Sequence, residues 1–412
     1  MKAVRAWSLS VLALAAVGAV GCSSDDDTST SATTAGGDST ATTTGGSTDT
    51  TEAGSDAPSE PITIHVAQLA DLTGPAKAAN EQQVQGIDLA LDVLAEQGQV
   101  TIDLDRQDTS GDVARATSLM TENAADDSVV WQLGPANTGE FFAAIPIADQ
   151  LGLPIQSISS GGVYTDEFPD DAFRSSFAEN AATEALIDYL QNSLDASNIA
   201  AAYANDNDFA RTSAEYFIAQ AQDAGLTFAT QQTFSSQDIN YSTQAAEIAS
   251  ANPDAVYVAT NINAGLLVKA IRDAGYEGPI VGTNNTFHTP QDVFDTSGGA
   301  TDNLFFVAPY DPNDDRQVVQ DFVEAFAAKY DGAQPTIQNA LGYDAVMMLA
   351  QAASEVDGDI TRESLRDAFA NVSYEGITGT EMTFPDGKGD VHREGIHILT
   401  IADPGVAVAA ED

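Results

Sequence analysis

From Ile62 onward the apolar positions switch between two periods almost without pause. Ile62 to Ala70 (ITIHVAQLA) predicts a strand, which LTGP at Leu72 to Pro75 turns. Glu81 to Glu96 follows, with Val84, Ile87, Leu91 and Leu94 spaced along one helix face. Val100 to Asp105 alternates as a strand, and Asp112 to Ala125 is helical. Val129 to Leu133 is long enough for a buried strand and too short for a helix. Gly134 and Pro135 break it, a helix follows from Glu140 to Leu151, and Leu153 to Ile158 makes the next strand. After Phe173 to Phe177 the alternation restarts. Helices are predicted at Ala182 to Leu194, Ala210 to Ala224, Tyr241 to Ala251 and Gly265 to Ala274, separated by strands at Ile199, Leu226, Ala255 and Ile280. The last part departs from this rhythm: a strand from Leu304 to Tyr310, helices near Arg316 to Tyr330, Gln338 to Val356 and Arg362 to Phe369, then short strands at Glu381 to Phe384 and Ile396 to Ile401.

Two successive βα series predict an α/β fold of two Rossmann-like lobes with mainly parallel sheets. The closing segments complete both lobes. The expected division is 61–176 with 308–384 in the first lobe, 177–307 with 385–402 in the second, and 403–412 as a tail.

Within the first series, Trp131 to Gly162 places two polar loops behind adjacent strands, at the carboxyl edge where open α/β sheets bind ligands. Asn137 and Thr138 stand where a helix cap belongs, and Ser159, Ser160 and Gly161 form the second loop. Helix-start amides and small hydroxyls there suit an anionic group such as a carboxylate.

The N-terminus changes the picture of where the chain works. Lys2 and Arg5 precede an apolar run from Ala6 to Gly21, shorter than the roughly 20 residues of a membrane span, so 1–21 reads as a secretory signal. The run ends AVGC, which resembles the lipobox of bacterial lipoproteins and implies lipidation of Cys22, the only cysteine. Ser23 to Glu60 is rich in Ser, Thr, Gly, Ala and Asp without Lys or Arg. With 22–60 lacking the apolar residues that offset ordering entropy, the expectation is a disordered tether, its flexible part reaching roughly 35 Å. The folded part is then held outside the membrane by acyl chains. The sequence carries 62 acidic against 15 basic residues, a net charge of −47, which argues against nucleic acid or an anionic membrane surface as partner.

The folded part resembles the branched-chain amino acid type of periplasmic binding protein, the solute receptor of ABC importers. ADLTGP at Ala70 to Pro75 before a helix containing Gly86 carries the resemblance, with the LGP loop at Leu133 to Pro135 and the run IRDAGYEGPIVGT at Ile271 to Thr283. Tyr343 and Asp344 in GYDAVMMLA also fit. The resemblance implies two lobes joined by three crossovers that close over a small polar solute, with ABC permease subunits as membrane partners. It places the crossovers near Arg174 to Ala178, Val307 to Tyr310 and Phe384 to Gly389. It puts the carboxylate cradle at Thr138, Ser159 and Gly161, with Asn137 and Ser160 beside them. An aromatic wall of the family falls at Ala79, and the tyrosine opening a second-lobe helix becomes Phe209. The next contact falls at Asn261, and the acid that holds an ammonium falls at Asn284, with Asn285 and Asn263 as neighbouring candidates. An amide there brings no charge, which implies a solute with a carboxylate or amide end and no obligatory ammonium. Asp206 and Asp208 are the nearest alternative acids, expected to face solvent as helix-start caps.

Enzyme readings find no support. His65, His288, His392 and His397 are scattered, with no HExxH or paired-cysteine spacing, no GxSxG elbow, and neither GxGxxG nor a Walker loop. No cofactor is expected. His288, beside Thr286 and Asp292, reads as a loop histidine at a helix start. Transport stands against one alternative, a ligand-sensing surface lipoprotein that signals to a partner.

Overall fold

The computed structural model describes residues 61–158 and 161–410. The predicted signal, Cys22, the tether, Ser159 and Ser160 lie outside the described residues. The first series runs β1 (Ile62–Ala70), α1 (Lys77–Gln97), β2 (Val100–Asp108), α2 (Val113–Ala125), β3 (Trp131–Leu133), α3 (Thr138–Leu151), β4 (Ile155–Ser157) and β5 (Ala172–Arg174). The second runs α4 (Glu179–Asn192), β6 (Asn198–Ala204), α5 (Asp208–Asp223), β7 (Thr227–Phe234), α6 (Ser242–Ala251), β8 (Val256–Ala259), α7 (Ala264–Asp273), β9 (Ile280–Thr283), α8 (Pro290–Ser297) and β10 (Leu304–Ala308). Three helices follow, α9 (Gln317–Lys329), α10 (Ile337–Ser354) and α11 (Arg362–Ala370). The chain ends with β11 (Met382–Thr383), β12 (Gly389–Asp390), β13 (His392–Arg393), β14 (His397–Ala402) and β15 (Val406–Ala409).

Each series builds its own sheet. The first has strand order β12-β5-β4-β3-β1-β2, and the second β15-β14-β10-β9-β8-β6-β7. All pairings in the first sheet are parallel, and in the second only those of β14 are antiparallel. The α/β reading with mainly parallel sheets holds. The strands between helices read as short apolar runs, because both faces of such a sheet are covered: Val256 to Ala259 are all buried.

Helix α10 is buried along most of its length, so it packs as a core element. It lies against α1 so tightly that a side chain at Gly86 would put its Cβ 1.9 Å from the Asn339 carbonyl oxygen. That contact explains the glycine in the motif better than any turn. Thr336 starts α10 with a reciprocal capping box to Asn339.

The chain passes between the sheets three times: after β5, after β10, and between β12 and β14. The third passage falls later than Phe384 to Gly389. Gly389 and Asp390 still pair with Phe173 and Arg174 in the first sheet, so the crossing begins only beyond Asp390. Buried Arg393 fixes that segment by donating to the carbonyls of Thr378 and Ser175. The segment expected as a tail also differs. Val406 to Ala409 adds β15 to the edge of the second sheet, pairing Leu399 with Ala409 through Ala402 with Val406.

Candidate functional site

In each sheet one pair of neighbouring strands marks the point where the order reverses: β1 and β3 in the first, β6 and β8 in the second. Helices leave such a pair on opposite faces, opening a crevice beyond the carboxyl ends. The loops after β1 and β3 border one crevice, and those after β6 and β8 border the other. The two crevices face each other, since single cavities are lined from both.

The innermost cavity measures about 40 Å³. Asn137, Thr138 and Gly161 line it from the first lobe, and Phe209, Asn261 and Asn285 from the second. Six residues singled out in the sequence therefore meet in one place. Asn284 does not join them. It is buried, its backbone amide donates to the Val307 carbonyl at 2.8 Å, and neither side-chain atom has a protein partner. Asn263 lines only a larger, outer cavity, where its side chain donates to the Asp238 carbonyl at 3.1 Å. Ala79 lines both cavities.

The cradle is held from behind. Asn137 occupies the N-cap of α3 in extended backbone, but its side chain makes no cap bond and instead lies 3.5 Å from an Asp71 oxygen. The N-terminal end of α3 thus keeps its positive potential toward the cleft. The Thr138 hydroxyl accepts from the Gly162 amide at 3.4 Å, and the Gly161 carbonyl accepts from the Glu179 amide at 2.9 Å. The Gly162 carbonyl accepts from buried Arg174.

The lobes touch here. A Cβ on Gly161 would stand 2.0 Å from Nδ2 of Asn285, and one on Gly139 would stand 2.6 Å from Oδ2 of Asp208. The Val163 amide also donates to the Thr212 hydroxyl at 3.2 Å. The helix-cap role expected of Asp206 and Asp208 belongs to Asn207, which accepts from the Ala210 amide. Asp206 instead binds Ser235 and the Ser236 amide, and Asp208 pairs with Arg211 at 3.2 Å. Both aspartates line a side cavity of about 210 Å³ together with Asp71 and Glu140.

Several residues at the site were not among the binding residues expected from the sequence. His288 lines both the innermost and outer cavities, so its place before α8 is not its whole role. Burial pushes its ring below the usual histidine range, and its Nδ1 lies 3.0 Å from the Asn285 carbonyl. Glu179 starts α4 in full burial and accepts from Asn285 at 3.0 Å and from Thr283. Burial pushes it up to about 7 against those bonds and against Arg174. Glu140, bonded to Thr109, is likewise pushed up to about 7, chiefly by burial. Asn80 and Gln338 also reach the inner cavity. Their signal was present: each is polar on the buried face of a helix. Among the described residues no group of three or more His, Cys, Asp or Glu is placed to hold a metal ion.

A family model described as periplasmic binding protein matches residues 63–394. A Leu/Ile/Val-binding protein homolog 3 of Brucella melitensis biotype 1 is 23% identical over 318 residues, covering 74% of this chain and 83% of the relative. Among solved structures, a leucine binding protein from Thermotoga maritima is similar with a TM-score of 0.76 at 21% identity, covering 84% of this chain and 98% of its own. A solute binding protein of an ABC transporter from R. palustris, in complex with benzoate, is similar with a TM-score of 0.75 at 21% identity, covering 84% and 95%.

Two outcomes follow from the site's geometry. Folded Glu179 keeps a proton that the unfolded chain releases above the ordinary glutamate range, so stability falls as pH rises from about 4.5 to about 7. Glu179→Gln keeps an acceptor for Thr283 and removes the titration. Denaturant unfolding at pH 5 and pH 8 should show the variant losing less stability across this span, by up to about 3 kcal/mol. An identical loss in both proteins contradicts the assignment. Separately, Gly161→Ala should hold the lobes apart, seen as a larger radius of gyration by solution scattering than in the unsubstituted protein. Equal radii at saturating solute contradict a lobe contact at this glycine.

Proposed function

The chain belongs to the periplasmic binding protein family, and from this we propose that it is the extracytoplasmic receptor of an ABC importer. It captures a small, polar, amino acid-like solute with a carboxylate or amide end between its two lobes and presents it to permease subunits. The observation that carries this reading is the meeting of two sheet crevices around one cavity lined by Asn137, Thr138, Gly161, Phe209, Asn261 and Asn285. The α3 terminus and the Thr138 hydroxyl supply the pole for the solute's oxygen. The relatives named above are described as binding or solute-binding proteins, in keeping with a receptor and not a catalyst. Lipidation of Cys22, with the tether behind it, places the receptor on the outer face of the cell membrane.

The reading is tested by a thermal-shift screen against amino acids, their 2-oxo acids, amides and aromatic acids. A solute at 100 times its dissociation constant stabilises the fold by about 2.7 kcal/mol. Thr138→Ala should weaken the best binder by ten- to a hundredfold, as expected for loss of a bond of about 1.5–3 kcal/mol to a charged group. Unaltered affinity in calorimetry sinks the cradle. For the anchor, Cys22→Ala should release the protein from washed membranes while solute affinity stays the same. Retention equal to that of the unsubstituted protein after high salt removes the lipoprotein assignment.

A further inference from the structure

The inner cavity, at about 40 Å³, has room for little more than a water or two. The outer cavity, between the start of α1 and the start of α8, measures about 490 Å³. The two adjoin, because Ala76, Ala79, Asn261 and His288 line both. At Ala79 the side chain between them is a single methyl group.

The shared wall carries two acceptors that the protein leaves open. The Asn285 carbonyl can only accept, so Nδ1 of His288, 3.0 Å away, carries the ring proton and Nε2 presents a lone pair. Burial lowers the basicity of the ring, which keeps Nε2 an acceptor at neutral pH. The buried Oδ1 of Asn261 receives no donor from the protein. No Lys or Arg lines either cavity, and the outer one is bordered by Asp292 and Asp295. Two open acceptors and two carboxylates select hydrogen-bond donors and repel a second anionic group.

We propose that the solute is elongated, its carboxylate or amide head in the inner cavity and a donor-bearing tail, amine or hydroxyl, running past Ala79 into the outer cavity against Asn261 and His288. This rests on the receptor reading above and names the solute class for it.

The test is calorimetric titration of the intact chain with a matched panel. Valine and leucine carry donor-free side chains, glutamate an accepting one, and arginine and alanyl-arginine donate at increasing distance from the head. The donor-tailed members should bind at least tenfold more tightly than leucine and glutamate. Ala79→Trp, which fills the passage, should weaken arginine and alanyl-arginine at least tenfold more than it weakens leucine, and His288→Ala should act in the same direction. If leucine or valine binds as tightly as the donor-tailed members, and Thr138→Ala abolishes that binding, the receptor reading stands and the elongated solute falls. Donor-tailed affinities unmoved by Ala79→Trp also overturn the tail's placement. If Thr138→Ala leaves every affinity unchanged, the cradle and the tail placement fall together.

Discussion

The guanidinium of Arg174 is the constraint on which hinge and cradle both depend. It is fully buried at the end of β5. A charge in that position costs several kcal/mol unless it is paired and its donors are met. Asp390 supplies the pairing, with one bond of 2.8 Å, and the Gly162 carbonyl takes another donor. Meeting these needs holds β12 beside β5, which carries the last part of the chain back to the first sheet before its final crossing. It also fixes the loop that presents Gly161 to the cleft. The next buried titratable group, Glu179, lies at the first crossing and accepts from Asn285, so the second lobe's cavity residue is tied to the same region. The crossings and the cavity loops are therefore one bonded structure.

Charge is arranged differently around the cavity than over the whole chain. The chain carries a net charge of −47, yet no Asp, Glu, Lys or Arg lines the innermost cavity. The nearby acids are engaged: Asp71 accepts from the Gly74 and Ala76 amides, and Asp206 from Ser235 and Ser236. What lines the cavity is a set of dipoles, namely side-chain amides, one hydroxyl, the His288 ring and a helix terminus. Such groups are aimed by the fold before binding and lose little freedom on contact, which favours affinity through preorganisation.

Most of the fold was legible because its elements are long and strictly periodic. The helices around Val84 to Leu94 and the strand from Ile62 to Ala70 sit where their patterns placed them. The failures share a physical cause. Strands β12, β13 and β15 have two to four residues, too few to display a period of their own, and β12 is defined only by its pairing with distant β5. Short α8 was read only as a helix start after His288. At the site, the shift from Asn284 to Asn285 is a one-residue error just past a strand. Both residues lie in the turn that the Thr286 and Phe287 amides close on the Thr283 carbonyl, and of the two only Asn285 lines the cavity. Asn137, Thr138 and Gly161 were legible because loops behind parallel strands have a fixed relation to the sheet edge. Glu179 and His288 were not, since nothing local distinguishes a buried glutamate at a crossing or a cleft-facing histidine from ordinary surface residues.

The closed arrangement also bears a penalty that bears on selectivity. Oδ1 of Asn261, both side-chain polar atoms of Asn284 and the Tyr310 hydroxyl are buried without a protein partner. Each such group costs about 1–3 kcal/mol relative to a satisfied one. A binding protein of two lobes balances an open against a closed arrangement. A solute shifts that balance only by the difference in its affinity for the two arrangements. Contacts made to one lobe alone exist whether the lobes are open or closed and contribute nothing to the shift. Asn261 and Asn285 line the cavity from one side and Thr138 and Gly161 from the other, so a solute held by both sets would favour closure. A solute that gives Asn261 its missing donor would remove one of the penalties named above.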